Sequence, residues 1–145
     1  MATKRHRSTR LVTSDIDGKD LYNLCDDGMV SHCCWKDDGT ILAYARKIDL
    51  GNGYYLMKDK SPEWERIFTQ LKLDGHPSYS YDGHMLITDT YPDRARVASL
   101  FLKKDGSAER VARVFSSFKY DNDTRCDLHP RWNRAEDKVC FDSVF

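Results

Sequence analysis

A histidine, an aromatic residue, a polar turn and an apolar run follow one another in His32-Cys33-Cys34-Trp35-Lys36-Asp37-Asp38-Gly39-Thr40-Ile41-Leu42-Ala43-Tyr44. The same spacing of histidine and aromatic residue returns in His76-Pro77-Ser78-Tyr79 and in His129-Pro130-Arg131-Trp132. The three histidines are about 44 and 53 residues apart, and self-similarity at such a period is typical of a repeat architecture. If the copies are equivalent in space, their histidines are equivalent too.

The composition is that of one soluble domain with a formal net charge of zero at pH 7. The chain has 145 residues, 40% of them hydrophobic, and its 23 Lys and Arg balance its 23 Asp and Glu. This balance, with no basic and aromatic stripe, argues against a nucleic-acid or membrane partner. No apolar run approaches the roughly 18 residues of a membrane span, and no signal peptide is recognised. Residues 1–8 are expected to form a flexible basic N-terminus.

The cysteines point to a reducing compartment. There are five, and none forms a Cys-x-x-Cys pair. Reduced thiols that fill core positions are the expected role, so we expect a cytoplasmic protein.

Short β-rich runs separated by turn signals dominate the chain, which predicts an all-β fold. Residues 9–13 and 20–24 flank a turn at 15–18 and are expected to form a hairpin. Residues 64–71 also fit a short helix, because Ile67 and Leu71 lie four positions apart, but the repeat register favours a strand there.

Four short antiparallel strands in a unit of about 45 residues are typical of a β-propeller blade. We therefore expect a partial propeller over 9–145, with about three blades per chain. Its blades would cover about 29–72 and 73–120, and its blade halves 9–28 and 125–145. Three blades do not close a ring, since four to eight are typical. We expect two copies to pair their blade halves in a six-bladed homodimer.

The repeated histidines are the candidate metal ligands. The first strand of a propeller blade lines the central channel, so His32, His76 and His129 are expected at one height around one axis. Neutral imidazoles that converge on a point are good ligands for zinc, manganese, iron or nickel. The alternative is a structural role, in which each histidine bonds the backbone at a turn between repeats.

Carboxylates precede two of these histidines by two positions. Asp74 lies before His76 and Asp127 before His129. Residues two apart on a strand share a face, so each pair is expected to share the channel mouth. There the carboxylate would bind ligand directly or orient the imidazole.

Two arginines bracket the third histidine. Arg125 and Arg131 carry guanidinium groups that recognise carboxylates through two parallel hydrogen bonds, as an acidic substrate requires. A salt bridge from Arg131 to Asp127 or Asp142 is the alternative. The candidate substrate-binding residues are thus Arg125, Asp127, Arg131 and Asp74.

The strings Trp35-Lys36-Asp37-Asp38-Gly39 and Tyr79-Ser80-Tyr81-Asp82-Gly83 resemble the TolB-like, or WD40-like, β-propeller repeat. The string Cys126-Asp127-Leu128-His129-Pro130-Arg131-Trp132 is similar to repeats of propellers related to oligogalacturonate lyase. The third repeat departs from the pattern, because Glu136-Asp137-Lys138 stands where Asp-Gly is expected.

The resemblance implies a carbohydrate-active protein, an oligogalacturonate lyase-like polysaccharide lyase if it is active. Its cofactor would be a divalent metal, manganese first and zinc or iron as alternatives, held by histidines in the channel. Its ligand would be an acidic oligosaccharide, cleaved by β-elimination. An arginine is the family-like candidate for the base, and no residue of this sequence is assigned to that role. The alternative is a non-catalytic propeller that serves as a scaffold for sugar or protein binding.

Overall fold

The computed structural model describes residues 8–144 and shows an all-β chain. The segment expected to be a flexible basic N-terminus lies outside this range, apart from Ser8. The described strands are β1 (Leu11–Thr13), β2 (Tyr22–Cys25), β3 (Val30–Asp37), β4 (Thr40–Lys47), β5 (Gly51–Lys58), β6 (Trp64–Ile67), β7 (Ser78–Tyr79), β8 (Leu86–Asp89), β9 (Val97–Lys104), β10 (Ser107–Phe115), β11 (Arg131–Trp132) and β12 (Val139–Cys140). One short 3-10 helix, Asn122–Thr124, precedes β11.

The strands form four antiparallel sheets in chain order. β1 pairs with β2 and β11 with β12, while β3-β4-β5-β6 and β7-β8-β9-β10 are meanders of four strands. The prediction of an all-β, antiparallel fold is confirmed. The strand expected within 64–71 is also present, as β6, because its backbone completes the edge of the first meander through pairs such as Tyr54 with Ile67.

Strand β4 contributes side chains to the cores on both faces of the first meander (β3 to β6). Its residues Ile41 to Ala45 are buried on both faces, and alternate side chains of a strand point in opposite directions. Leu42 and Tyr44 pack in a core that includes Leu86 of the second meander. Ala43 and Ala45 pack in a core with Cys25 of the N-terminal hairpin. The first meander is thus covered on both sides.

The second meander continues the series. Ala98 and Leu100 of β9 pack with Leu128, and the Trp132 indole Nε1 donates a hydrogen bond of 2.9 Å to the carbonyl oxygen of Ser78. The order of packing is therefore β1-β2, first meander, second meander, β11-β12. Within the described residues, β1 and β12 each pair along only one side, and no helix is long and apolar enough to cross a membrane.

Candidate functional site: a histidine cluster between successive sheets

The three repeated histidines meet in space. His32 lies in β3, whereas His76 and His129 each come two residues before the first strand of the next sheet. The ring centroids of His32 and His76 are 4.2 Å apart, and those of His76 and His129 are 4.0 Å apart. His76 is therefore the middle member of a contiguous cluster, which we call the histidine cluster (His32, His76 and His129).

Asp89 holds the middle of the cluster. This carboxylate ends β8 and is 1% exposed. Its Oδ1 accepts hydrogen bonds from the backbone N–H of His76 at 2.6 Å and from His76 Nδ1 at 2.9 Å. Its Oδ2 accepts the backbone N–H of His129 at 3.1 Å. A single buried carboxylate thus fixes His76 and also ties it to the next repeat.

Asp74 orients a different histidine from the one expected. It was predicted to share a face with His76, but its Oδ1 lies 3.2 Å from Nδ1 of His32. Asp74 and His76 thus meet at the same cluster, but strand alternation does not explain this contact, because both residues precede β7, which begins only at Ser78. The alternation of side chains along a strand does not apply to a segment that is not in a strand.

His129 and Asp127 meet through the backbone. His129 Nδ1 lies 3.1 Å from the carbonyl oxygen of Asp127, while the Asp127 carboxylate pairs with Arg125 at 2.6 Å and 3.0 Å. His129 has φ of 41°, in the left-handed region that strand residues do not adopt. The expected sharing of one strand face is therefore replaced by a turn.

Arg131 lies in an exposed ion pair. Its guanidinium donates to the Asp142 carboxylate at 3.1 Å and 2.6 Å, and Asp142 Oδ2 is 3.9 Å from Nδ1 of His129. Of the two roles considered for Arg131, the structure contains the salt bridge to Asp142. Arg125 is likewise already paired, with Asp127.

Tyr91 belongs to the site although the sequence patterns did not single it out. Its ring centroid is 5.6 Å from that of His76 and 6.3 Å from that of His32. The Arg125 guanidinium stands 4.7 Å from the centroid of the Tyr91 ring. Partial burial raises the pKa of the Tyr91 hydroxyl, so it stays protonated at neutral pH. In the sequence, Tyr91 stands two residues after Asp89, and this position was the feature that could have marked it as part of the site.

The contacts of the cluster select one tautomer of each imidazole. A carboxylate or a carbonyl oxygen only accepts hydrogen bonds, so each Nδ1 that faces one carries the proton. The Nε2 atom of each neutral ring then keeps its lone pair. Carboxylate and carbonyl partners of this kind orient histidines that bind metals. Within residues 8–144, however, no three His, Cys, Asp or Glu side chains are placed as a complete ligand set, so metal binding requires the imidazoles to rotate.

Comparison of the chain with family models, with curated proteins and with solved structures finds no match. The geometry of the histidine cluster, its two carboxylates and Tyr91 therefore carries the functional argument.

The Asp74 contact makes the titration of His32 a test of this geometry. The hydrogen bond to Asp74 raises the pKa of His32 above its ordinary value of 6.5, against the opposing effect of burial. The fold therefore favours protonated His32. Its contribution to stability is fully present below the unfolded pKa and is lost as the pH rises through the raised pKa of the folded state.

We expect Asp74→Asn to lower the pKa of His32, because the substitution removes both the charged acceptor and its attraction for the proton. The measurement is an NMR titration of the imidazole Cε1–H resonances. Asp38→Asn is the matched control, since Asp38 is an exposed carboxylate in a turn. An unchanged His32 midpoint in Asp74→Asn, or an equal shift in the control, would contradict the assigned contact.

Proposed function

We propose that this chain is part of a carbohydrate-active β-propeller whose histidine cluster binds a divalent metal and acts on acidic oligosaccharides by β-elimination. One observation carries the proposal. Three imidazoles from three successive repeats meet within 4.2 Å of their neighbours, and every Nδ1 faces an oxygen. Each neutral ring then keeps a free Nε2 lone pair, and the three rings would have to rotate before these atoms could share one metal ion.

The sheet order supports the propeller. Two meanders of four strands follow each other in the chain and pack on each other, as blades do. Each histidine lies in or just before the first strand of its sheet, the strand that borders the channel in a propeller. The edges of β1 and β12 that pair with no described strand would meet those of a second copy in the six-bladed homodimer.

Three imidazoles suit zinc or iron, whereas the resemblance to oligogalacturonate lyase-type propellers makes manganese the first candidate. Nε2 of His32, His76 and His129 would hold the ion, which when bound would neutralise a uronate carboxylate and acidify the proton on the adjacent carbon. Asp74 and Asp89 keep the imidazoles of His32 and His76 in the tautomer that this requires.

The arginines act on the substrate as cations in this proposal. The hydrogen bond from Arg125 to Asp127 raises the pKa of the guanidinium, and Asp142 raises that of Arg131. Both effects oppose proton abstraction by the arginines, so in this proposal the proton would pass to solvent. Arg125 and Arg131 would instead recognise substrate carboxylates in exchange for Asp127 and Asp142. Asp74 and Asp127 position the groups that contact the ligand.

A non-catalytic scaffold is the second candidate, and the contacts of Asp89 favour it. This carboxylate joins the backbone of His76 to that of His129, which is a structural link between repeats. In such a scaffold the histidines would stabilise the fold and bind no metal.

We expect His76→Ala to weaken metal binding by more than about tenfold, because it removes the central ligand. The measurements are metal content after purification with manganese, zinc or iron salts and no chelator, and ultraviolet absorbance of the unsaturated product from galacturonate oligosaccharides. His84→Ala is the control, since His84 is exposed in a turn.

Circular dichroism of each variant verifies that it is folded, and light scattering of the same preparations gives the number of chains. Metal-free wild-type protein, or a folded His76→Ala variant with undiminished metal, would favour the scaffold. Stoichiometric metal without product formation would support the proposed metal site and contradict the proposed lyase activity.

A further inference from the structure

A cavity of about 640 Å³ lies beside the histidine cluster. Its lining includes Asp74 and Tyr91, which contact His32 and His76 of that cluster, and it extends away from the histidines along strand β9. Its size is within the range of about 300–1,000 Å³ that is usual for small-molecule sites. The sugar chemistry proposed above does not use this space.

The wall of the cavity is apolar because of the alternation along β9. Val97, Ser99 and Phe101 are two positions apart, so they share one face of the strand, and all three line the cavity. Phe101 also packs against the core between the two meanders. Leu73 and Pro92 add apolar surface from the segments that flank this face.

The charged side chains that line the cavity differ in whether they already have partners. Arg94 and Arg110 line the cavity and are exposed. Neither forms a salt bridge with a carboxylate in the part of the chain that the structure describes. Arg110 stands opposite Phe101 in the pairing of β10 with β9, which places it on the face of the apolar wall.

The two carboxylates of the lining already have partners. Asp74 contacts His32, and Oδ1 of Asp93 accepts the backbone N–H groups of Ala95 and Val97 at 2.9 Å and 3.0 Å. The cavity therefore combines an apolar wall with two available guanidinium groups and two carboxylates that already have partners. The formal charges of these four groups cancel, so an anion would be held by the two arginines directly and not by a net positive charge.

We propose that this cavity binds a small organic acid with an aryl or alkyl body. The body would lie against Leu73, Val97 and Phe101, and the carboxylate would pair with Arg94 and Arg110. A sugar fits this wall poorly, because its hydroxyl groups would lose water without gaining hydrogen-bond partners. Guanidinium groups, by contrast, recognise a carboxylate in a fixed geometry.

The test compares hydrocinnamate with hydrocinnamyl alcohol, a neutral ligand of nearly the same shape, by calorimetric titration of the full chain in the presence of a chelator. We expect the acid to bind more tightly than the alcohol. In the double variant Arg94→Ala/Arg110→Ala the acid should bind about tenfold more weakly, a loss of about 1.4 kcal/mol, while the affinity for the alcohol stays the same.

Two further variants keep the result decisive. Arg113→Ala removes another exposed arginine of β10 that does not line the cavity, and it should leave both affinities unchanged. Ser99→Phe fills the cavity and should abolish binding of both ligands. Equal affinity for acid and alcohol, no binding of either, or the same loss in Arg113→Ala would overturn the proposal. So would undiminished binding to a folded Ser99→Phe variant.

Discussion

Gly75→Ala is expected to destabilise the protein severely and to disrupt the histidine cluster. A Cβ at Gly75 would lie 1.9 Å from the carbonyl oxygen of Asp89, 2.8 Å from its carbonyl carbon and 2.9 Å from its Oδ1. The two nearest of these atoms belong to the backbone of a buried strand, which cannot move aside as the end of a flexible side chain could. We expect a loss of about 3 kcal/mol or more in the free energy of unfolding, since forced overpacking typically costs about 1–3 kcal/mol.

Urea unfolding followed by circular dichroism measures this loss. Gly39→Ala is the matched control, because the nearest atom to a Cβ at that position is Asp37 Oδ1 at 3.9 Å. The control should change the free energy of unfolding by less than about 0.5 kcal/mol, as surface substitutions usually do. Similar unfolding midpoints for the two variants would show that residue 75 and Asp89 are not in close contact.

Asp89→Ala is expected to remove about 3 kcal/mol from the free energy of unfolding. The substitution deletes the acceptor for the backbone N–H groups of His76 and His129 and for His76 Nδ1. Removing the partner of a buried polar group costs about 1–3 kcal/mol, and more where the partner was charged. The backbone positions of His76 and His129 should shift as well, because one carboxylate fixes both.

Chemical denaturation and the NMR resonances of the two histidines report these effects. Asp142→Ala is the control, because Asp142 forms an exposed pair with Arg131 and exposed pairs contribute little to stability. Equal losses in the two variants would contradict the central role of Asp89. Loss of stability without displacement of the His129 resonances would contradict its link between repeats.

The Gly75 and Asp89 variants do not by themselves distinguish the two proposed functions. Both the metal site and the scaffold require Asp89 and the close approach of Gly75, so their variants test the geometry that the two share. The metal content of His76→Ala separates the two functions. A lyase therefore has to satisfy both sets of measurements, whereas a scaffold satisfies only the first.

The strands were predictable because their signals are local. The apolar run Ile41 to Ala45 and the turns between runs each involve neighbouring residues. Together with the repeat register, they predict an all-β chain with four strands in each full repeat. The register also resolved residues 64–71 in favour of a strand, which the structure contains as β6. Hydrophobic alternation and turn chemistry act over a few residues, so a sequence displays them directly.

The partners of the histidines were decided only by the tertiary structure. Repetition marked His32, His76 and His129 by sequence, but Asp74 contacts His32 across 42 positions and Asp89 contacts His129 across 40. The rule of alternating faces does not supply these contacts, because it holds within strands, whereas Asp74 and His76 precede β7 and His129 is in a left-handed turn. Sequence spacing therefore determined which residues recur. The packing of successive sheets brought Asp74 to the imidazole of His32 and Asp89 to the backbone of His129, because those contacts depend on the path of the backbone between the strands.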